Sequence, residues 1–232
     1  MPWDSSARGQ LVLGVVGQIF SEIRLFLVCT NAPNIHPYIL GTYIFGGNSN
    51  PKTFEYLPNN SSTWVLAKIE IPGYGYSRGC AIYVKSKQEI WLIGGKYETD
   101  KRILVFEINT QTFRELSSTL WLGRYGHSGA LIPGTSQKIL ITGGAYEMGM
   151  TRICEVIDIE NGGKVSFVSS MSQDRCEHGI GTLKINNEER LAVFGGCEET
   201  YVELFNVQTE NWEIAENIEL REAKYGFGFL SA

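Results

Sequence analysis

A pair of adjacent glycines closes an apolar, strand-like run four times in this chain. Gly46-Gly47 follows 42–45, Gly94-Gly95 follows 90–93, Gly143-Gly144 follows 139–142, and Gly195-Gly196 follows 191–194. The first glycines of successive pairs are separated by 48, 49 and 52 residues. A near-constant period of about 50 residues marks a repeat architecture, and that decides the fold before any local reading does. It also bears on function, because copies of one small sheet rarely each keep a catalytic centre.

Each glycine pair is one part of a larger unit. In the second unit, strands are expected over 80–84, 89–93, 103–108 and 113–116, with polar turns over 85–88 and 109–112. The third unit reads as 127–132, 138–142, 154–159 and 165–168, with a local turn at Asn161-Gly162-Gly163. The fourth reads as 178–185, 190–194, 201–207 and 212–214. The first has 42–45, 53–57 and 63–67, and 24–29 is the candidate for its first strand, across a loop holding Pro33 and Pro37. These are short β-branched and aromatic runs bounded by turn residues. No long stretch keeps a 3.6-residue apolar period, so few helices are expected.

Two further positions recur. The fourth strand carries a large aromatic, Trp64, Phe113, Phe167 or Trp212, suited to wedging between neighbouring sheets. An arginine follows it, Arg78, Arg124, Arg175 or Arg221, at steps of 46, 51 and 46 residues. The glycines are expected where the chain leaves a crowded strand end in a backbone conformation that only glycine reaches freely.

Together these features resemble the kelch repeat. The strongest matches are Phe194-Gly195-Gly196 with 202–212 ending in Trp212, and Phe45-Gly46-Gly47 with Phe54-Glu55-Tyr56 and Trp64. The resemblance covers 41–231. It departs where phenylalanine replaces tryptophan in units two and three. It implies an all-β, kelch-like β-propeller of four to five four-stranded antiparallel blades over 41–232. Residues 1–40 form an N-terminal segment, partly a blade strand or disordered. Propellers run from about four to eight blades. Tyr225-Gly226-Phe227-Gly228-Phe229-Leu230 reads as the first strand of another unit. It either closes a ring with the first unit or begins a blade that is lacking, which leaves an incomplete ring whose open edges invite self-association.

Composition removes several function classes. Hydrophobic residues make up 43% of the 232, enough for a sizeable core, and the net charge of −5 gives no general pull toward nucleic acid or an anionic membrane. The apolar runs at 11–16 and 25–29 are separated by Gln18, Glu22 and Arg24, too short and too charged for a span of about 20 residues. Asp4 balances Arg8, which also reads against a signal peptide. Five cysteines (Cys29, Cys80, Cys154, Cys176, Cys197) with no CxxC pair favour a reducing, cytoplasmic setting over a disulfide framework. The N-x-Ser triplets at Asn59 and Asn60 matter only in a secreted protein.

No catalytic or metal motif stands out. His127 and His178 each lie three residues after a repeat arginine, without the carboxylate or cysteine spacing of a metal site, and read as repeat positions. His36 stands alone. Cys176 beside Arg175, and Cys197, read as ordinary strand-associated thiols. Glu188-Glu189 and Glu198-Glu199 are adjacent pairs whose members would face opposite ways in a strand, and read as solvated loop charges.

The resemblance implies binding of a partner peptide on a face built from the loop after each glycine pair and the loop before each first strand. Carried over, the candidate residues are Asn48, Tyr76, Arg78, Tyr97, Arg124, Tyr146, Arg175 and Arg221. Tyrosine and arginine dominate binding hot spots. A ring of arginines would suit an acidic segment through paired charge-assisted bonds. The arginines equally suit bonding loop carbonyls between blades. The leading expectation is thus a non-enzymatic interaction module for a protein or peptide, with no cofactor. Substrate recognition for ubiquitin ligases and cytoskeletal attachment are among the roles the family implies, and no BTB-like or F-box-like helical region precedes the repeats. The rival is a kelch-like enzyme or small-ligand binder, such as a copper oxidase, against which three histidines in all count.

Overall fold

The computed structural model describes residues 14–19, 22–28, 41–59, 61–95, 97, 100–135, 137–196 and 199–226. The N-terminal segment is thereby described only as two strand backbones. Cys29, His36, Asn60, Cys197, Glu198 and residues 227–230 of the C-terminal strand lie outside the described residues. Among the described residues every regular element is a strand, and all pairing is antiparallel.

The first sheet contains β1 (Gly14–Ile19), β2 (Glu22–Val28), β3 (Gly41–Phe45), β4 (Phe54–Pro58) and β5 (Val65–Leu66), in that spatial order. The second contains β6 (Cys80–Val84), β7 (Glu89–Ile93), β8 (Ile103–Glu107) and β9 (Thr112–Glu115). In the third, β10 (Ser128–Leu131) and β11 (Lys138–Thr142) are followed by an inserted ribbon, β12 (Ala145–Tyr146) with β13 (Gly149–Met150). The sheet then resumes with β14 (Cys154–Asp158) and β15 (Lys164–Val168). The fourth contains β16 (Gly179–Ile185), β17 (Glu188–Phe194), β18 (Tyr201–Asn206) and β19 (Asn211–Glu219). The expected first strand of unit one is β2, which pairs with β3 from Leu25↔Phe45 to Val28↔Thr42. Two elements are additions to the expected pattern: β1, which extends the first sheet to five strands, and the β12–β13 ribbon.

Turn chemistry sets the registers. Ile185 pairs with Glu188, so β16 and β17 are joined by two residues, Asn186 (φ 51°) and Asn187 (φ 66°). Positive φ at both central positions is the turn that matches strand twist, and asparagine tolerates it. Between β18 and β19, Asn206 Oδ1 accepts the N–H groups of Gln208 and Thr209, each at 3.0 Å, which fixes a four-residue loop.

The second strands β7, β11 and β17 each hold a continuously apolar stretch because both faces of their sheets are covered. Along β7, Ile90 and Leu92 join a core shared with the first sheet's Phe45 and Phe54, while Trp91 and Ile93 join one shared with the third sheet's Ile139 and Ile141. Along β17, Leu191 and Val193 face the third sheet's Leu140 and Val156, whereas Ala192 and Phe194 pack with Val202 and Leu204 on the opposite face. Each such side chain contributes roughly 1.5–3 kcal/mol when fully buried. The strands β2, β6, β10 and β16 lie next to one another in that sequence, and β1 lies against β16.

The glycine pairs join each unit to the following one. The second glycine donates its N–H across the boundary: Gly47 to Tyr76 O (3.0 Å), Gly95 to Arg124 O (3.0 Å), Gly144 to Arg175 O (2.7 Å) and Gly196 to Lys224 O (2.6 Å). The first must lie close to the same carbonyl. A β-carbon on Gly46 (φ 63°) would stand 1.7 Å from Tyr76 O, and one on Gly143 (φ 57°) 2.4 Å from Arg175 O. Glycine is required both by φ and by close backbone approach.

The fourth-strand aromatics divide. Phe113 stands edge-on to Phe45 and Phe54, with centroids 6.4 and 5.8 Å away, and so bridges sheets one and two. Trp212 packs tilted against Phe205, with centroids 5.0 Å apart, and donates its indole N–H to Ser169 O. Phe167 is exposed beside Trp121, and Trp64 is also exposed.

Candidate functional site

Antiparallel order brings the start of the first strand, the end of the second, the start of the third and the end of the fourth to one edge of each sheet. In the second sheet this is the row Cys80, Ile93 and Ile103, with Glu115 beside Leu104. The candidate residues all lie on the loops at this edge, but at very different depths.

The carbonyls bonded by the glycine pairs define which residues are equivalent: Tyr76, Arg124, Arg175 and Lys224. Arg78 and Arg221 therefore do not belong to the same position as Arg124 and Arg175. The near-regular spacing of four arginines arises from two positions.

Arg124 and Arg175 are fully buried. Arg124 donates to Gly143 O and Ile153 O, each at 2.8 Å, to Leu122 O, and to the buried Glu155 carboxylate. Glu155 in turn accepts the N–H of Trp121 at 2.7 Å and of Leu122 at 3.3 Å. Arg175 repeats the arrangement with Gly195 O (2.6 Å), Tyr201 O (3.2 Å) and Glu203 (3.1 Å), and Glu203 accepts Ser172 N–H at 2.7 Å. These guanidiniums present nothing to a partner. They satisfy the carbonyls where the glycine pair turns and tie that turn to the third strand of the same sheet. Tyr76, at the equivalent position, is buried as well.

Glu155 and Glu203 escaped the sequence reading. Each is the central charge of a Cys/Val-Glu-Val/Leu run in a third strand, whereas Glu55, in the third strand of unit one, is exposed. A charge within a buried strand needs a counter-charge, which was the signal. Where unit two has Leu104 in place of glutamate, no arginine stands at the Tyr76 position.

The histidines are interior. His127 Nε2 lies 3.0 Å from Ile93 O, and His178 Nε2 2.7 Å from Thr142 Oγ1. Burial, helped by Arg124 for His127 and by Arg175 for His178, pushes both pKa values down to about 3. Both rings are neutral at physiological pH. Burial likewise pushes the Cys80 and Cys154 thiols up to about 12, the opposite of nucleophilic activation. Cys176 is buried, with its Sγ 2.7 Å from where a β-carbon on Gly126 would stand. Among the described residues no group of three or more His, Cys, Asp or Glu side chains is placed to hold a metal ion. Among the described residues no helix is long and apolar enough to cross a membrane.

The exposed part of the face is aromatic and thioether-rich. Tyr97 and Tyr74 meet edge-on at 5.1 Å, and the Arg102 guanidinium lies 3.7 Å over the Tyr74 ring while bonding Gly75 O and the buried Asp100. Burial, with Asp100 adding to it, pushes the Tyr74 hydroxyl up to about 12. Tyr146 is half-buried on the ribbon whose tip carries Met148, 85% exposed, and Met150. The ribbon is anchored by reciprocal backbone bonds between Tyr125 and Ala145 (3.0 and 2.8 Å). Tyr225, Arg221 and Asn48 are exposed. An open cleft of about 640 Å³ runs between the loop 49–53 and Gly73-Tyr74. Arg78 is partly exposed, lies 3.8 Å over the Tyr125 ring, and faces Glu177 at 3.5 Å.

The chain matches no protein-family model, and no curated protein matches it.

Proposed function

We propose that the chain is a kelch-like β-propeller that works as an interaction module, presenting its loop-built face to a protein or peptide. The fold reading is supported by four sheets whose first strands follow one another, by a glycine-pair bond repeated across four unit boundaries, and by a contact of β1 with β16, which a closed ring would require. The observation that carries the function is that Tyr97, Met148, Met150 and Tyr225 are exposed on the loops and ribbon at one edge of the sheets, with Tyr146 half-buried on the same ribbon as Met148. Large apolar side chains left to solvent on one surface, with rigid aromatic anchors among them, are what partner-binding patches are made of.

Because Arg124 and Arg175 are interior, a ring of arginines reading a purely acidic segment is not the mode of binding. Contact is made chiefly by tyrosine and methionine, with Arg78 as the charged centre. A cytoplasmic setting fits Cys80, Cys154 and Cys176, none of which is in a disulfide. The test is selection of a displayed random-peptide library on the immobilised protein, followed by calorimetry with the selected peptides. The triple variant Tyr97→Ala, Tyr146→Ala, Met148→Ala should bind them at least 10-fold more weakly while its circular dichroism is unchanged. Undiminished binding by a folded triple variant would move the site elsewhere.

A further inference from the structure

One backbone position recurs two residues after the carbonyl that each glycine pair bonds: Arg78, Gly126, Glu177 and Gly226. All four have left-handed φ, at 57°, 61°, 55° and 60°. They are joined in series, Gly126 N–H to Arg78 O (2.7 Å), Glu177 N–H to Gly126 O (2.7 Å) and Gly226 N–H to Glu177 O (2.8 Å). Glycine takes this conformation freely, whereas a β-carbon makes it unfavourable. Yet two of the four positions hold long side chains of opposite charge.

Those two side chains meet, but weakly. Arg78 Nη2 and Glu177 Oε1 are 3.5 Å apart, long for a charge-assisted bond, and the side chains remain 32% and 16% exposed. Among the described residues, Glu177 is the one side-chain acceptor of the Arg78 guanidinium. The contrast with Arg124 and Arg175, saturated by carbonyls and a carboxylate, is direct. The Tyr125 ring supports the guanidinium plane from below, and Tyr225, at the position equivalent to Tyr125 and 68% exposed, stands beside the same series of turns. Backbone strain is kept here without a strong internal bond in return, at the centre of the face that carries the exposed aromatics.

We propose that Arg78 and Glu177 form a charge-reading pair for a peptide segment bearing an acidic and a basic side chain close together. The inference rests on the interaction-module reading and names the chemistry of its partner. The long internal bond opens. Arg78 then takes the peptide carboxylate in the forked geometry that guanidinium offers, and Glu177 takes the ammonium or guanidinium group. A segment carrying acidic groups alone would set its charge against Glu177, so both signs are required.

The experiment uses the same random-peptide selection on the wild-type protein, on Arg78→Gly, on Glu177→Gly and on the exchanged double variant Arg78→Glu/Glu177→Arg, with urea unfolding of each. Wild-type protein should enrich peptides carrying both charges within a few residues. Arg78→Gly should lose the acidic preference and Glu177→Gly the basic one. The exchanged variant should select both charges in reversed order along the peptide. The glycine variants should keep their unfolding midpoints, because glycine is the residue suited to this φ. A marked fall in midpoint would show the pair to be a structural latch and overturn the proposal. Peptides selected without charge dependence would overturn it too while leaving the binding face standing. Failure of the wild-type protein to select any peptide would remove the interaction-module reading and this proposal with it.

Discussion

Replacing Arg124 and Arg78 in parallel separates the two positions that the arginine spacing merges. Arg124→Met leaves Glu155 fully buried with two backbone N–H donors and no counter-charge, and strips Gly143 O and Ile153 O of their donor. Breaking a buried pair from one side costs about 3–5 kcal/mol. With a urea slope of about 2–3 kcal/mol/M for a chain of this size, the unfolding midpoint should fall by more than ~1 M. Arg78→Met removes a partly solvated bond worth at most about 1 kcal/mol and a stacking contact of about 0.5–1 kcal/mol. Its midpoint should move by less than half as much. The double variant Arg124→Met/Glu155→Met removes both buried charges and should recover a large part of the loss, giving a coupling energy of a few kcal/mol in the double-mutant cycle. Equal midpoints for Arg124→Met and Arg78→Met would refute the division into interior and surface arginines.

Three further outcomes are expected. The two histidines, neutral down to about pH 3 in the fold and titrating near 6.5 when unfolded, give stability that is full above pH 6.5 and declines as pH falls toward 3. Each contributes a slope of roughly 1.4 kcal/mol per pH unit. His178→Gln should flatten the fall in urea midpoint between pH 7.5 and 5, and an unchanged slope would remove the buried-histidine account. Gly143→Ala places a β-carbon 2.4 Å from Arg175 O and should cost well over ~2 kcal/mol, whereas Gly162→Ala, with similar φ and open space, should cost about 1 kcal/mol. Thermal unfolding of both variants decides this, and equal losses would mean that φ alone makes the pair glycine. Finally, Cys80 and Cys154 should resist iodoacetamide at pH 8 until urea unfolds the chain. Peptide mapping that finds either one alkylated in the native protein would contradict their burial.

The repeating sheets were legible because period-2 patterning, turn residues and glycine pairs all act locally. The strands of units two to four fall within two residues of their expected bounds except β19, which runs on to Glu219 against an expected end at Ile214, and the turn at Asn161-Gly162-Gly163 is a turn. The depth of side chains was not legible. Arg124 looks like a surface hot spot until Glu155, 31 residues away, is brought against it. The arginine series also misled, because Arg78 stands two residues beyond the position of Arg124, and only the carbonyl paired with each glycine reveals that offset. The ribbon β12–β13 was hidden because its two-residue strands are too short to show alternation, and β1 because its apolar run lacks the glycine pair that marked the others.

The bond from each second glycine to a carbonyl of the following unit has a consequence for how the protein is made. A sheet emerging during synthesis carries a turn whose N–H has no acceptor until the start of the next unit has been translated. Gly95 waits for Arg124, and Gly144 waits for Arg175. An amide left without its partner is a standing cost. Each unit is therefore finished by its successor, and the nascent chain acquires stability in steps that lag translation by one unit. A pause between two sheets, before that acceptor is made, leaves the sheet just translated as the part of the chain most in need of a chaperone.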